Sequence, residues 1–293
     1  MTYVARLKNA ALACVTVLRR IGVDDKFLCF DGRPSEPGRI FVPSQSDSKF
    51  QAEQALGDWA EDAVADAINS SSMSLKAVHY GFNSKLFAED EGFKEEYVSG
   101  VEDTYKNGKR ADLLLFAIGS DVPELTALSS EQAKPFVRQS VGALEVRSSR
   151  LNARQYIAYQ ERRLKDGKKP TSLEPNFTVK VEDLIKVYLW IVLNKKPQAY
   201  VQVFFDEVWG IGFLQIMELI ASGAKLRVEK HKRSSKTTIM VPLSNGMQIG
   251  QVVEQPTFTL VHNITKNGRH DIFAKPQGGE IQINDGQLVS LLR

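Results

Sequence analysis

Asp112 heads an apolar run in Lys109-Arg110-Ala111-Asp112-Leu113-Leu114-Leu115-Phe116, and Glu145 lies near the end of a second, Val141 to Arg147. Side chains alternate along a strand, so Glu145 and Arg147 share a face while Val146 points into the opposite layer. Neighbouring strands would bring Asp112 and Glu145 together at one sheet edge with a cation beside them. Two such carboxylates suit a hard divalent ion, because Mg²⁺ takes one or two carboxylates and completes its shell with phosphate oxygens and water. The cation at their side would orient an attacking hydroxide and stabilise a pentavalent phosphate. The same residue types also make an ordinary strand-end ion pair, Glu145 with Arg147 or with Arg110, and spacing alone leaves both readings open.

The elements that must hold these residues follow from hydrophobic periodicity. A helix is expected over residues 7–21, then a Gly/Pro/Ser-rich loop from Asp31 to Ser48. An amphipathic helix from about Phe50 to Ile68 presents Ala55, Trp59, Ala63 and Ala67 on one face. Three short apolar runs, Ala111 to Ile118, Val141 to Arg147 and Ala199 to Phe205, read as strands buried on both faces. Between the second and third lie a basic helix, about Asn152 to Lys165, a loop with Pro170 and Pro175, and a helix from Val181 to Asn194 whose first turn holds Glu182 and Asp183. Strand, helix and parallel strand is the usual crossover unit. A further helix runs from about Gly212 to Ser222. After it, 225–230, 236–243, 247–253, 257–264 and 280–292 look like short strands between turn sequences. The expected organisation is an α/β core over residues 1–222, a mixed sheet flanked by helices, with a β-rich extension over 223–293.

The chain has 293 residues, 43% hydrophobic and 25% charged, which excludes a disordered tail, a collagen-like chain and a coiled-coil rod. Its longest aliphatic-aromatic run, Val187 to Leu193, is too short to cross a bilayer, so no membrane role is expected. Ala10 to Leu18 runs straight into Arg19 and Arg20 without a small-residue cleavage site and reads as a helix, not a leader. Cys14 and Cys29 are too few for a disulfide framework or a four-ligand zinc site, and a reducing, cytoplasmic setting fits. No Walker loop, dinucleotide glycine fingerprint, H-E-x-x-H or G-x-S-x-G string occurs, and His79, His231, His262 and His270 read as surface or loop residues.

Net charge is only +3, but its distribution is uneven. Residues 147–169 carry +6 and 225–236 carry +5, so these 35 residues hold +11 and the other 258 sum to −8. A mildly acidic body with two concentrated basic segments is expected of a protein that holds a polyanion in one place. The plain alternative, a solvated charged face, applies to each run taken alone.

With Gly57-Asp58-Trp59-Ala60-Glu61 on the long amphipathic helix, the order helix with Glu, strand with Asp, strand with Glu-x-cation resembles the PD-(D/E)XK nuclease superfamily. Three longer strings narrow it: Ala143-Leu144-Glu145-Val146-Arg147-Ser148-Ser149, Phe177-Thr178-Val179-Lys180-Val181-Glu182-Asp183-Leu184 and Tyr200-Val201-Gln202-Val203-Phe204-Phe205-Asp206 are similar to the AccI-type family of type II restriction endonucleases. The likeness covers roughly residues 50–220. It implies a prokaryotic, cytoplasmic homodimer that cuts a short, mostly palindromic double-stranded DNA site with Mg²⁺, leaving 5′-phosphate and 3′-hydroxyl ends, beside a cognate methyltransferase that is not a binding partner. Asp112 and Glu145 would bind the metal, and Glu61 would orient the metal-bound water or hold Arg147. One departure stands out, because the superfamily's lysine position holds Arg147, which keeps the charge but cannot act as a general base. Arg147 serves there as an electrostatic group, or Lys180 supplies the ammonium, or the site is inactive. Glu161 reads as a solvated helix residue, with a second-metal role as the lesser view.

Arg150, Asn152, Arg154 and Gln155 follow the catalytic strand, and such side chains make the bidentate base contacts of the major groove. Arg162, Arg163, Lys165, Lys168 and Lys169 suit phosphate contact. Lys230, Lys232 and Arg233, in the second basic segment, read as a backbone clamp or as a charged strand edge that deters pairing. Tyr156 and Tyr159 are expected to pack, Trp190 to lie in the core, and Asp206 to cap a turn at Val208-Trp209-Gly210. Two other functions stand beside the endonuclease: a structure-selective repair nuclease on the same core, and a DNA-binding protein on a nuclease scaffold that has lost catalysis.

Overall fold

The computed structural model describes residues 1–293 except 44–46, 72–73, 82–85, 87, 89, 169–171, 225, 231–236 and 265–267. In chain order the elements are α1 (Tyr3–Arg20), α2 (Ser48–Ser71), β1 (Leu75–His79), α3 (Phe93–Asn107), β2 (Leu113–Ala117), α4 (Ser130–Gln139), β3 (Gly142–Ser148), α5 (Ala153–Lys165), β4 (Asn176–Lys180), α6 (Val181–Asn194), β5 (Gln198–Val203), β6 (Glu207–Gly212) and α7 (Phe213–Ala221). Then come β7 (Arg227–Lys230), β8 (Thr237–Pro242), β9 (Met247–Glu254), β10 (Thr257–Ile264), β11 (His270–Gln277), β12 (Glu280–Ile283) and α8 (Asp285–Ser290).

A seven-stranded sheet of order β1-β2-β3-β5-β6-β9-β12 runs through the molecule. Every neighbouring pair is antiparallel except β3 and β5, the crossover pair, which places Glu145 opposite Tyr200 and Arg147 opposite Gln202. β2, β3 and β5 are buried on both faces because each face has its own helical cover. On one side Leu114, Phe116, Ala143 and Tyr200 pack with residues of α1, α6 and α7; on the other Leu113, Leu115, Leu144, Val146 and Val201 pack with Leu56, Trp59, Ala60 and Val64 of α2. The apolar positions of α1, at Leu7, Ala11, Cys14 and Leu18, recur at helical spacing and are all buried.

Several expectations are corrected. Val208-Trp209-Gly210 is not a turn but the middle of β6, paired with Val203, Gln202 and Val201. Two of its glycines are required by close approach, since a side chain at Gly210 would strike Leu291 and one at Gly212 would strike the Leu291 carbonyl. Residues 280–292 are strand only as far as Ile283, after which the Asn284 side chain accepts from the Gln287 N–H and starts α8. The region after residue 222 is β-rich, yet it shares the core's sheets: β9 pairs with β6, β12 with β9, and β8 with β4. Tyr159 is 52% exposed instead of packed, with the Arg163 guanidinium 5.8 Å from its ring centre.

Candidate active site

The strand alternation has the expected consequence at the end of β3. Val146 enters the α2-side core, while Glu145 and Arg147 point to the other face and meet there, Arg147 Nη2 standing 2.5 Å from Glu145 Oε1. A second cation reaches the same oxygen. Lys109 Nζ, from the loop before β2, lies 2.6 Å from Glu145 Oε1 and 3.1 Å from Oδ2 of Asp183 in the first turn of α6. Arg147 is 3.8 Å from that Asp183 oxygen. Two carboxylates and two cations thus close a ring around a Glu145 side chain that is 1% exposed.

Their electrostatics follow from that ring. Burial works against the Lys109 ammonium, but Glu145 and Asp183 together outweigh it and its pKa rises. Glu145 raises Arg147 despite burial, and Lys109 and Arg147 hold Asp183 below its ordinary value although burial opposes them. Glu145 Oε2 is different, being buried with no hydrogen-bond partner among the described residues. The Tyr200 hydroxyl, also buried and without a partner there, has its pKa pushed up by burial and then by Glu145.

Asp112 stands where β2 begins, beside β3. Its Oδ2 accepts the Val146 N–H at 2.6 Å, and its carbonyl accepts from Tyr80 and Gly81 at the end of β1. A side chain at Gly81 would come within 3.2 Å of the Asp112 Cα, so glycine keeps this edge open. Burial, then Glu145, pushes Asp112 up to about 7. Glu61 approaches from α2 and is pushed up to about 9 by burial, then by Asp112, Asp58 and Glu145. Asp58, one turn earlier, is also raised, by burial and then by Asp62. Asp58, Glu61 and Asp112 border a cleft of about 1910 Å³, whose far wall includes Arg269, Phe273 and Lys275 of the β10–β11 hairpin.

These strands, helices and carboxylates agree with a match over nearly the whole chain, since the family model described as AccI restriction endonuclease covers residues 21–169 and 162–293. The chain belongs to the AccI restriction endonuclease family. The match reaches well past the segment that carries the three sequence strings and takes in the C-terminal strands. One solved structure, that of D212, a nuclease from a fusselovirus, is similar with a TM-score of 0.30 and 12% identity, over 72% of this chain and 90% of that chain. No curated protein matches.

Within this restriction endonuclease, the geometry brings Asp112, Glu145 and Arg147 together, with Glu61 facing them from α2. Lys180 is the N-cap residue of α6, and its charge adds to those that lower Asp183; the ammonium against Glu145 is that of Lys109. Arg110 does not pair with Glu145, because its guanidinium donates to the Leu125 and Leu128 carbonyls and lies 4.1 Å from the centre of the Tyr80 ring. Lys109 and Asp183 were the residues that sequence reasoning passed over. Lys109 stands three places before Asp112, and Asp183 reads as an ordinary first-turn acid; only the tertiary pairing distinguishes them.

The residues expected to touch DNA fall into two groups. Asn152 caps α5 by accepting from the Gln155 N–H, and Arg154 donates to Glu207 at 2.7 Å. Arg150 is 3.7 Å from Glu53 of α2. Asp206 is a cap, as expected, but for α5, accepting from the Ala153 and Arg154 N–H groups. Arg162, Arg163 and Lys168 border an open depression with Tyr159 at the far end of α5, and Glu161 beside them is exposed. Lys230 donates to the Gly22 carbonyl just past α1. Lys169, Lys232 and Arg233 lie outside the described residues. His262 and His270 are exposed on the β10–β11 hairpin with ring nitrogens 2.7 Å apart.

Asp112 and Glu145 fit a hard divalent cation by donor type and by the buried, unpartnered Glu145 Oε2. Among the described residues no three His, Cys, Asp or Glu side chains are gathered into a closed metal cage. An ion there would complete its shell with phosphate oxygens and water, as Mg²⁺ does. No helix among the described residues is long and apolar enough to cross a membrane.

Proposed function

We propose that this chain is a type II restriction endonuclease that hydrolyses both strands of a short, mostly palindromic duplex site as a homodimer with Mg²⁺, leaving 5′-phosphate and 3′-hydroxyl ends. The observation that carries the reading is the pairing of Asp112 with the bare, buried Oε2 of Glu145 beside a fixed cation. Asp112 and Glu145 would hold Mg²⁺, which when bound polarises the phosphate and acidifies water. The chain's own residues do the rest. Lys109 and Arg147 hold the Glu145 carboxylate in place through Oε1, and Arg147 offers its remaining N–H groups to phosphate oxygens in the fork geometry suited to them. Glu61 orients the attacking water. That water forms the new P–O bond and releases its proton to solvent; the bond to the 3′ oxygen breaks in line, and the 3′ oxygen takes up a proton.

Arg150 and Gln155, just after the catalytic strand, would reach base edges, with Asn152 and Arg154 fixing the start of α5. Arg162, Arg163 and Lys168 supply phosphate contact. The second basic segment, Lys230 included, would serve as a backbone clamp. The test is plasmid digestion in roughly 5–10 mM Mg²⁺, where weakly held Mg²⁺ sites fill, beside Glu145→Ala. Discrete bands from wild type and none from the variant are expected. Bound but uncut plasmid in Mg²⁺ and Mn²⁺ would instead establish a DNA-binding scaffold, and cutting confined to branched or single-stranded DNA a structure-selective nuclease.

A further inference from the structure

Lys109 occupies a place that the local sequence builds with some care. α3 ends at Asn107, and Gly108 follows with φ of 82°, in the region that favours glycine. A Cβ there would come within 2.3 Å of the Trp190 backbone nitrogen, so only glycine lets this loop lie against α6. The next residue is then locked to that helix, the Lys109 N–H donating to the Lys186 carbonyl at 3.0 Å. From this anchor its side chain runs to Glu145 and Asp183. Arg110 is committed to two carbonyls of the loop before α4, and two residues later comes Asp112.

An ammonium and a guanidinium do different work in such a ring. The ammonium is a compact charge with three donors, whereas the guanidinium is a planar fork. Glu145 and Asp183 take two of the Lys109 donors. The side chain remains 25% exposed, which leaves the third donor a way out toward a bound phosphate. Resting on the endonuclease reading above, we infer that Lys109 is a catalytic residue, its free N–H donating to a non-bridging oxygen of the scissile phosphate, and that Asp183 is the positioning residue that aims it. The ammonium that the strand position does not supply comes from the loop before β2.

The test uses the full chain and separates chemistry from support. Wild type and Glu145→Ala are compared first, since an inert wild type would overturn the endonuclease reading and this inference with it. With an active wild type, single-turnover cleavage at saturating DNA should fall about 100-fold or more in Lys109→Met, the scale of losing one preorganised donor at developing charge. DNA affinity should stay within about threefold, because this single phosphate contact gains its strength as charge develops in the transition state, and many other contacts hold the DNA. Lys109→Arg should recover part of the rate. The double variant Lys109→Met/Asp183→Asn restores charge balance in the ring, so it secures folding, but it should remain as slow as Lys109→Met. Binding of Ca²⁺ alone, by calorimetry, should be as tight in Lys109→Met as in wild type or tighter, a neighbouring positive charge having gone. Recovery of cleavage in the double variant, a rate within threefold of wild type in Lys109→Met, or loss of Ca²⁺ binding together with cleavage would each overturn the assignment.

Discussion

The two halves of the candidate site are built on opposite electrostatic plans. On the β3–α6 side, Glu145 and Asp183 are matched by Lys109 and Arg147, and that half is neutral in itself. On the α2–β2 side, Asp58, Glu61 and Asp112 border one cleft, and the pKa of each is raised by burial first and then by a neighbouring carboxylate: Asp62 for Asp58, Asp112 for Glu61 and Glu145 for Asp112. The first half is finished when the chain folds. The second carries carboxylates in excess of nearby cations, the side from which, on the reading proposed above, a divalent cation would be drawn. Buried ion pairs are weak sources of stability but costly to break from one side, so the self-neutral half ought to govern whether the site holds its shape, and the acidic half what it binds.

Substitutions on the two sides should therefore part company. Glu145→Gln is expected to abolish cleavage, by at least about 1000-fold, the scale of losing a metal ligand together with the electrostatics around it. It should also lower folding stability by about 3 kcal/mol, because two half-buried cations are left facing Asp183 alone. Asp112→Asn should lose cleavage to a similar extent, yet metal-free stability near pH 8 should not fall, since the amide oxygen still accepts from Val146 and a buried charge is gone. Urea denaturation of both variants checks this, and equal destabilisation would erase the contrast.

The acidic half also predicts a pH dependence with a definite sign. Glu61, at about 9 against an ordinary 4.5, and Asp112, at about 7, retain protons in the folded protein that the unfolded chain would release. Their stabilising contribution is complete below the ordinary carboxylate range and is lost as pH rises through 7 and then 9. Metal-free protein should accordingly weaken between about pH 6 and 9, and Glu61→Gln should flatten the upper part of that slope. Stabilisation by Ca²⁺ should grow over the same range, because cation and proton compete for the same oxygens. The smallest effect is expected at Glu161→Gln, an exposed change that should stay within about 0.5 kcal/mol and leave the cleavage rate unaltered.

The sequence revealed what its short-range patterns encode. The buried strands were legible because apolar runs of that length fit nothing else, and α6 was placed from Val181 to Asn194 by its first-turn acids and the proline beyond it. Glu145 and Arg147 were legible as face-mates by the two-residue period. β6 was not, because its glycines read as turn residues until Leu291 is seen packed against them. β4 owes its strand character to β8, far along the chain, whereas β11 pairs with its neighbour β10 across a hairpin whose turn carried no strand signal. Lys109 and Asp183 stand 74 residues apart and meet only through the packing of the loop before β2 on α6; neither has a local signal.

The long helix that carries Glu61 is fastened late in the chain. Ser48 and Gln51 bond to Asp271, the Trp59 indole donates to the Gly278 carbonyl, and Ile281 of β12 joins the core beneath it. A ribosome must therefore translate more than two hundred residues beyond Glu61 before the fastenings of its helix exist. Partly synthesised copies would carry the strand carboxylates without a secured Glu61.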